Sequence, residues 1–289
     1  MIMENLQILE GYSPSPTSDE VAAVLERVYP QVAELSTAEV YKQCYSFIDL
    51  TTLASEDSVA SVRAFAREAV EFAASREDIP AVASLCVYPS FVEVVGMEID
   101  GSPLKITSVA GGFPSSQTFM EVKALECAMA VESGADEVDV VLNVGMMLSG
   151  QYEEAMSEIA MLREEIGEDT ILKVIIESGA LVEPALIYKA SLLSIVAGAN
   201  FVKTSTGKQS PAATPQAAVV MCQAIKAHYA KSGEKIGFKA AGGIRTAKDA
   251  VLYYAIVREV LGEEWLLAEY FRLGASSLAG DLVAEIDNL

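Results

Sequence analysis

Lys203 stands in the run ANFVKTSTGK (199–208), directly after Phe201 and Val202, in a pattern that reads as a buried β-strand. An ammonium there would have to leave water. Lys239 in GFKAAGG, Lys173 in LKVIIES and Asp139 in EVDVVLN stand in equally apolar company. A neutral lysine is a nucleophile toward carbonyl carbon, but at an ordinary pKa of about 10.4 almost none is neutral near pH 7. Desolvation and a neighbouring cation both lower that value. Two lysines on adjacent strands therefore make an amine site, one attacking while the other supplies charge, and spacing does not say which of Lys203 and Lys239 attacks. A structural ion-pair network is the competing reading: Asp139 against Lys173, with the other lysines paired to Asp49 or Glu177. Taking each ion out of water is costly, so pairing alone is a weak reason for so many charges in a core, and amine chemistry is the stronger reading.

Such residues need a scaffold that turns them inward. Short β-rich runs occur at YSFIDL, SLCVYP, LKITSVAG, EVDVVLN, LKVIIES, NFVKTS, IGFKAAGG and YFRLGASS. Longer stretches of helical periodicity lie between them, among them TFMEVKALECAMAVESG, EEAMSEIAMLREEIG and TPQAAVVMCQAIKAHYAKSG. Strand, loop and helix in regular alternation, with no GxGxxG after an early strand, predict an α/β fold of the (β/α)8 TIM-barrel type. SPSPTSDE reads as a loop capping a helix over residues 19–35. Residues 1–289 are thus expected to form a single barrel domain, with 1–40 an N-terminal helical extension and 41–289 the barrel. The segment before Ser36 would cover the bottom of the barrel or serve self-association.

In a barrel, strand alternation assigns faces. Val138, Val140 and Leu142 share the helix-facing side of the fourth run, opposite Glu137, Asp139, Val141 and Asn143. Val174 and Ile176 oppose Lys173, Ile175 and Glu177; Val202 and Thr204 oppose Phe201, Lys203 and Ser205; Phe238 and Ala240 oppose Gly237, Lys239 and Ala241. The charges fall on the inner face each time. Glycine-rich turns then end the sixth, seventh and eighth units, where barrels often hold phosphate on backbone N–H groups and a helix N-terminus. Gly207, Gly242, Gly243, Ser276 and Ser277 are the candidate donors.

The remaining polar residues carry blander expectations. Asp49 is read as bonding its own loop rather than orienting Lys239, Lys208 as solvated and His228 as a helix-surface residue. With one histidine, neither a catalytic triad nor a zinc site finds its partners, and no metal is expected. Cys44, Cys86, Cys127 and Cys222 are scattered without metal-finger spacing and read as reduced core thiols of a cytoplasmic protein. The opening residues lack a basic stretch followed by a long apolar one, so no secretory signal is expected. A composition 52% hydrophobic, with mean hydropathy +0.32, suffices for a large core. A formal charge of −21 argues against nucleic acid and anionic membranes as partners, so any anion site must be local.

Taken together, IDLTTL, LCVYP, GADEVDVVLNVG, LKVIIESG, FVKTSTGK, GFKAAGGIRT and FRLGASSL resemble the deoxyribose-phosphate aldolase family of class I aldolases, from about Tyr45 to the final helix. The resemblance implies reversible cleavage of 2-deoxy-D-ribose 5-phosphate to D-glyceraldehyde 3-phosphate and acetaldehyde, in deoxyribonucleoside catabolism, with no cofactor and with a monomer or homodimer as the assembly. It implies that Lys203 forms the Schiff base, that Lys239 lowers its pKa, and that Asp139, held by Lys173, moves protons through water. Thr51 and Cys86 would line the pocket near the reacting carbons. Some family members end in a tail whose terminal tyrosine aids proton transfer. The last tyrosine here is Tyr270, in the eighth run, so that transfer is expected to rest on Asp139 and water. An isomerase of sugar phosphates and a catalytically silent phosphate binder are the rival classes: the first lacks its usual histidine or metal, and the second needs no inward amine.

Overall fold

The β-rich runs close on themselves. β1 (Ile48–Thr51), β2 (Ser84–Val87), β3 (Lys105–Ala110), β4 (Glu137–Val141), β5 (Ile171–Ile175), β6 (Phe201–Lys203), β7 (Gly237–Ala241) and β8 (Phe271–Ala275) pair in sequence order, and β8 returns parallel to β1. The computed structural model describes residues 9–289. The architecture is a (β/α)8 barrel with extra helices ahead of the first strand.

The alternation read from the sequence holds where it was applied to strands. Val138, Val140, Val174, Val202, Phe238 and Ala240 are fully buried and join one continuous apolar core with the surrounding helices. Burying each large side chain of this shell stabilises the fold by about 1.5–3 kcal/mol, and the shell leaves the inner face free for polar groups. The helices are fixed by local chemistry at their ends. Pro215–Ser232 starts on Thr214, whose hydroxyl accepts from the Ala217 amide, and stops at Gly233 in a left-handed conformation (φ 74°). Ser18–Leu35 starts on a reciprocal capping box of Thr17 and Glu20. This helix packs on the flank of the barrel, against Pro215–Ser232 and Ala247–Val260, with Arg27 and Glu259 paired at 2.8 Å.

Three sequence expectations shift. The first strand begins at Ile48, because the helix Ala38–Ser46, capped by Thr37, runs through Tyr45. Tyr270 lies just ahead of β8, where its carbonyl accepts from the Phe238 amide at 2.8 Å. His228 is buried, not on the surface. The segment leading into Ser18–Leu35 crosses over it, the Tyr12 hydroxyl standing 2.9 Å from its Nδ1 and the two rings stacked at 6.2 Å. Periodicity shows a helix's inner face but not a chain segment laid across its outer one.

Phe201 turns into the barrel over Gly237 of β7, its register partner. A Cβ on Gly237 would lie 2.2 Å from the ring. Gly237→Ala is therefore expected to destabilise the protein by about 1–3 kcal/mol through overpacking. Urea unfolding should show a lower midpoint with an unchanged slope.

Candidate active site

Lys203 and Lys239 are register partners on β6 and β7, and Asp139 and Lys173 on β4 and β5. Strand parity aims all four into the barrel. Lys203 Nζ and Lys239 Nζ both donate to Asp139 Oδ2, at 2.7 and 2.8 Å. Asp139 Oδ1 lies 3.1 Å from Lys173 Nζ, but off the line of a hydrogen bond, and has no directed donor. Asp49, from β1, lies 2.5 Å from Lys239 Nζ and 3.0 Å from Lys173 Nζ. Its charge spans the barrel instead of serving its own loop, because no local backbone donor competes with several buried cations. Arg272 of β8 reaches Asp49 at 2.5 Å and Glu137 at 2.8 and 3.1 Å, and Lys173 Nζ reaches Glu137 at 2.5 Å. The hydroxyls of Ser84 and Thr107 complete the network, donating to Asp49 at 2.8 Å and Glu137 at 3.0 Å. Glu177, expected as a lysine partner, instead accepts from the Thr206 hydroxyl at 2.6 Å and holds the loop after β6.

These contacts divide the lysines. Burial opposes charge on all of them. At Lys173 the three carboxylates Asp139, Asp49 and Glu137 outweigh burial and hold the ammonium well above the ordinary lysine value. At Lys239, Asp139 and Asp49 do the same. Lys203 has only Asp139, an oxygen already engaged by Lys239, so burial and the Lys239 charge win and its pKa falls below the ordinary value. Burial also opposes the Asp139 anion, but Lys173, Lys203 and Lys239 keep it ionised far below the usual carboxylate range. The low-pKa amine is thus the one at the mouth.

Lys203 opens into a cleft of about 410 Å³ at the C-terminal ends of the strands, lined also by Thr51, Lys208, Arg245 and the turns ending β6, β7 and β8. Gly207, Gly242 and Gly243 all have positive φ (75°, 86° and 83°), which turns their backbone into the loops around it. Ser276 and Ser277 line it where the helix Leu278–Asn288 begins. None of its lining residues is acidic, although the chain carries a charge of −21. Cys86 is fully buried with Leu53 and Val109 and is not part of the cleft wall; burial raises its thiol pKa. Lys208 is exposed but lines the cleft and contacts the Leu53 carbonyl.

Sequence reasoning passed over Arg272, Arg245 and the role of Glu137. Alternation applied to the eighth run would have put Arg272 inside, two residues before Gly274. Arg245 follows the seventh-strand glycines, and its only signal was that position.

Residues 45–262 match the model of the DeoC/LacD family aldolases. The chain is 39% identical over 281 residues to deoxyribose-phosphate aldolase of Mus musculus, covering 92% of this chain and 88% of the mouse protein. It is 41% identical over 253 residues to the Homo sapiens deoxyribose-phosphate aldolase, covering 83% and 79% of the two chains. Among solved structures it is similar to the tetrameric deoxyribose phosphate aldolase of Aeropyrum pernix, with a TM-score of 0.67, 25% identity, and 94% and 99% of the two chains covered.

Asp139 balances three ammonium groups, so Asp139→Asn should destabilise the fold by about 3–5 kcal/mol at neutral pH. Because Asp139 is more acidic folded than unfolded, the unfolded chain binds the extra proton as pH falls. Its contribution is present above the ordinary carboxylate pKa and lost as pH drops toward the folded value. Urea unfolding from about pH 5 down to about pH 2 should therefore show a shallower loss of stability in Asp139→Asn than in the wild type.

Proposed function

The chain belongs to the DeoC/LacD family of aldolases, and from that premise we propose that it cleaves 2-deoxy-D-ribose 5-phosphate reversibly to D-glyceraldehyde 3-phosphate and acetaldehyde through a Schiff base on Lys203. The observation that carries this reading is the position of Lys203: the amine with depressed pKa is the one that opens on the cleft. Its neutral Nζ adds to the C1 aldehyde of the open sugar, and loss of water gives an iminium. That iminium is the electron sink. As the C3 hydroxyl gives up its proton, the C2–C3 bond breaks, its electron pair moves into an enamine and glyceraldehyde 3-phosphate leaves. Protonation of the enamine at C2 and addition of water release acetaldehyde and restore the amine.

Asp139, 2.7 Å from Nζ, is the acid/base for these proton transfers, working through water. Lys239 holds the positive charge that keeps Lys203 neutral, and Lys173 fixes the position of Asp139. Thr51 flanks the reacting carbons from the cleft wall, with Cys86 behind it. The phosphate is held by the amides around Gly207, Gly242 and Gly243 and by Ser276 and Ser277 at a helix N-terminus, with Lys208 and Arg245 adding positive charge. No cofactor enters this reaction.

Residues 1–289 are read as one barrel domain with residues 1–40 its extension, acting in the cytoplasm on a small sugar phosphate. What supports that location is four buried, unpaired cysteines. A homodimer is the assembly we infer, supported by Val122, Leu125 and Met129, exposed at i, i+3 and i+7 on the helix Met120–Glu132, with Phe119 beside them. Leu125→Glu should then lower the mass seen by sedimentation to that of one chain, whereas an unchanged mass would exclude this face.

Acetaldehyde release from the deoxysugar phosphate tests the reaction. Lys203→Ala should lose at least about a thousandfold in kcat while retaining its fold by circular dichroism. Undiminished cleavage would remove Lys203 from the chemistry.

A further inference from the structure

Every strand but β3 contributes a titratable group to the barrel interior. Asp49 comes from β1, the neutral thiol of Cys86 from β2, Glu137 and Asp139 from β4, Lys173 from β5, Lys203 from β6, Lys239 from β7 and Arg272 from β8; β3 gives the Thr107 hydroxyl. At the rim, Glu177 is engaged by Thr206, and Lys208 is exposed. Within the strands, the carboxylates Asp49, Glu137 and Asp139 thus face the cations Lys173, Lys203, Lys239 and Arg272. There is one more basic group than there are acids.

The contacts say which basic group is surplus. Arg272 spans two carboxylates and cannot lose its proton. Lys173 touches all three carboxylates, and Lys239 touches two. Lys203 touches one, and shares the oxygen. With Lys203 neutral, three fixed cations match three carboxylates, and an interior shut off from water penalises departure from that match in either direction.

We propose that Arg272 and Glu137, which never meet the substrate, act as positioning residues that set the protonation state of Lys203 by fixing the charge balance of the barrel. Arg272 lies at the end of the network away from the cleft. Its Nε contacts the Ala268 carbonyl below β8, and its guanidinium stands 5.7 Å from the Phe201 ring centroid. Without its charge, three carboxylates would face two fixed cations, and Lys203 would keep its proton to make up the difference. Loss of the Glu137 charge acts in the opposite sense.

The inference rests on the aldolase reading for its functional meaning, but its test does not need turnover. Trace acetylation of Lys203 by acetic anhydride, quantified by peptide mass spectrometry between about pH 6 and pH 10, gives the apparent pKa of the amine directly. Arg272→Met should raise that pKa by about one unit or more, leaving about tenfold less neutral amine at pH 7. Glu137→Gln should lower it, and the double variant should return toward the wild type. Arg272→Lys, which keeps the charge but not the fork, should hold the Lys203 pKa near the wild-type value even where it costs stability.

The pH profile of cleavage should move with the labelling: the acidic limb goes to higher pH in Arg272→Met and to lower pH in Glu137→Gln. Shifts in the same direction for both variants, or no shift in either, would overturn the proposal. Should Arg272→Met not fold, Glu137→Gln, nearly isosteric, decides the matter alone: a fall in pKa supports the charge balance, and a rise or no change refutes it. Failure of the aldolase reading looks different, as a wild type that releases no acetaldehyde whatever the labelling shows.

Discussion

One carboxylate oxygen shared by two ammonium groups is the contact on which the site depends. Asp139 Oδ2 lies within hydrogen-bond reach of both Lys203, which opens on the cleft, and Lys239, which is fully buried. A shared oxygen cannot compensate both cations fully. Lys239 has a second acid in Asp49, which helps hold its pKa up; Lys203 has none, and burial with the Lys239 charge brings its pKa down. The amine that loses its proton more readily is set by unequal access to negative charge, with no strong base beside it.

The barrel makes that inequality structural. Its outer shell of valine, isoleucine and phenylalanine supplies the stability that a column of buried ions does not, and β register fixes the heights at which the ions meet. Room for the column comes from small residues. Gly237 yields to the Phe201 ring, and a Cβ on Gly274 would lie 3.1 Å from Lys239 Cε. At the open end the chemistry changes from matched ions to unopposed donors. Lys208, Arg245, the glycine turns after β6 and β7 and the serines after β8 face a cleft with no acid on its wall. An acidic protein thereby keeps one local surface fit for a phosphate.

Much of this was legible in the residues. Period-two alternation put Asp139, Lys173, Lys203 and Lys239 on one face, since a charge on the helix-facing side of a parallel barrel would have no partner. The turns after β6, β7 and β8 declared themselves through glycine. What alternation could not give was pairing across the barrel. Asp49 looked local because aspartate usually is, and only closure of the sheet brings β1 opposite β5 and beside β8. Glu177 looked like a lysine partner by parity, but the chain leaves the strand before it and turns it to Thr206. His228 looked exposed because nothing in its own helix predicts that Tyr12 will be laid over it. In each case the missing information was a contact between segments far apart in sequence.

Reduction with borohydride in the presence of acetaldehyde tests the central claim most directly, because it traps the iminium that only a neutral, accessible amine can form. A stable two-carbon adduct mapping to Lys203, and absent from Lys239 and Lys173, is the predicted result. An adduct on Lys239 instead, or none at all on a folded wild-type protein, would contradict the assignment of the uncharged amine.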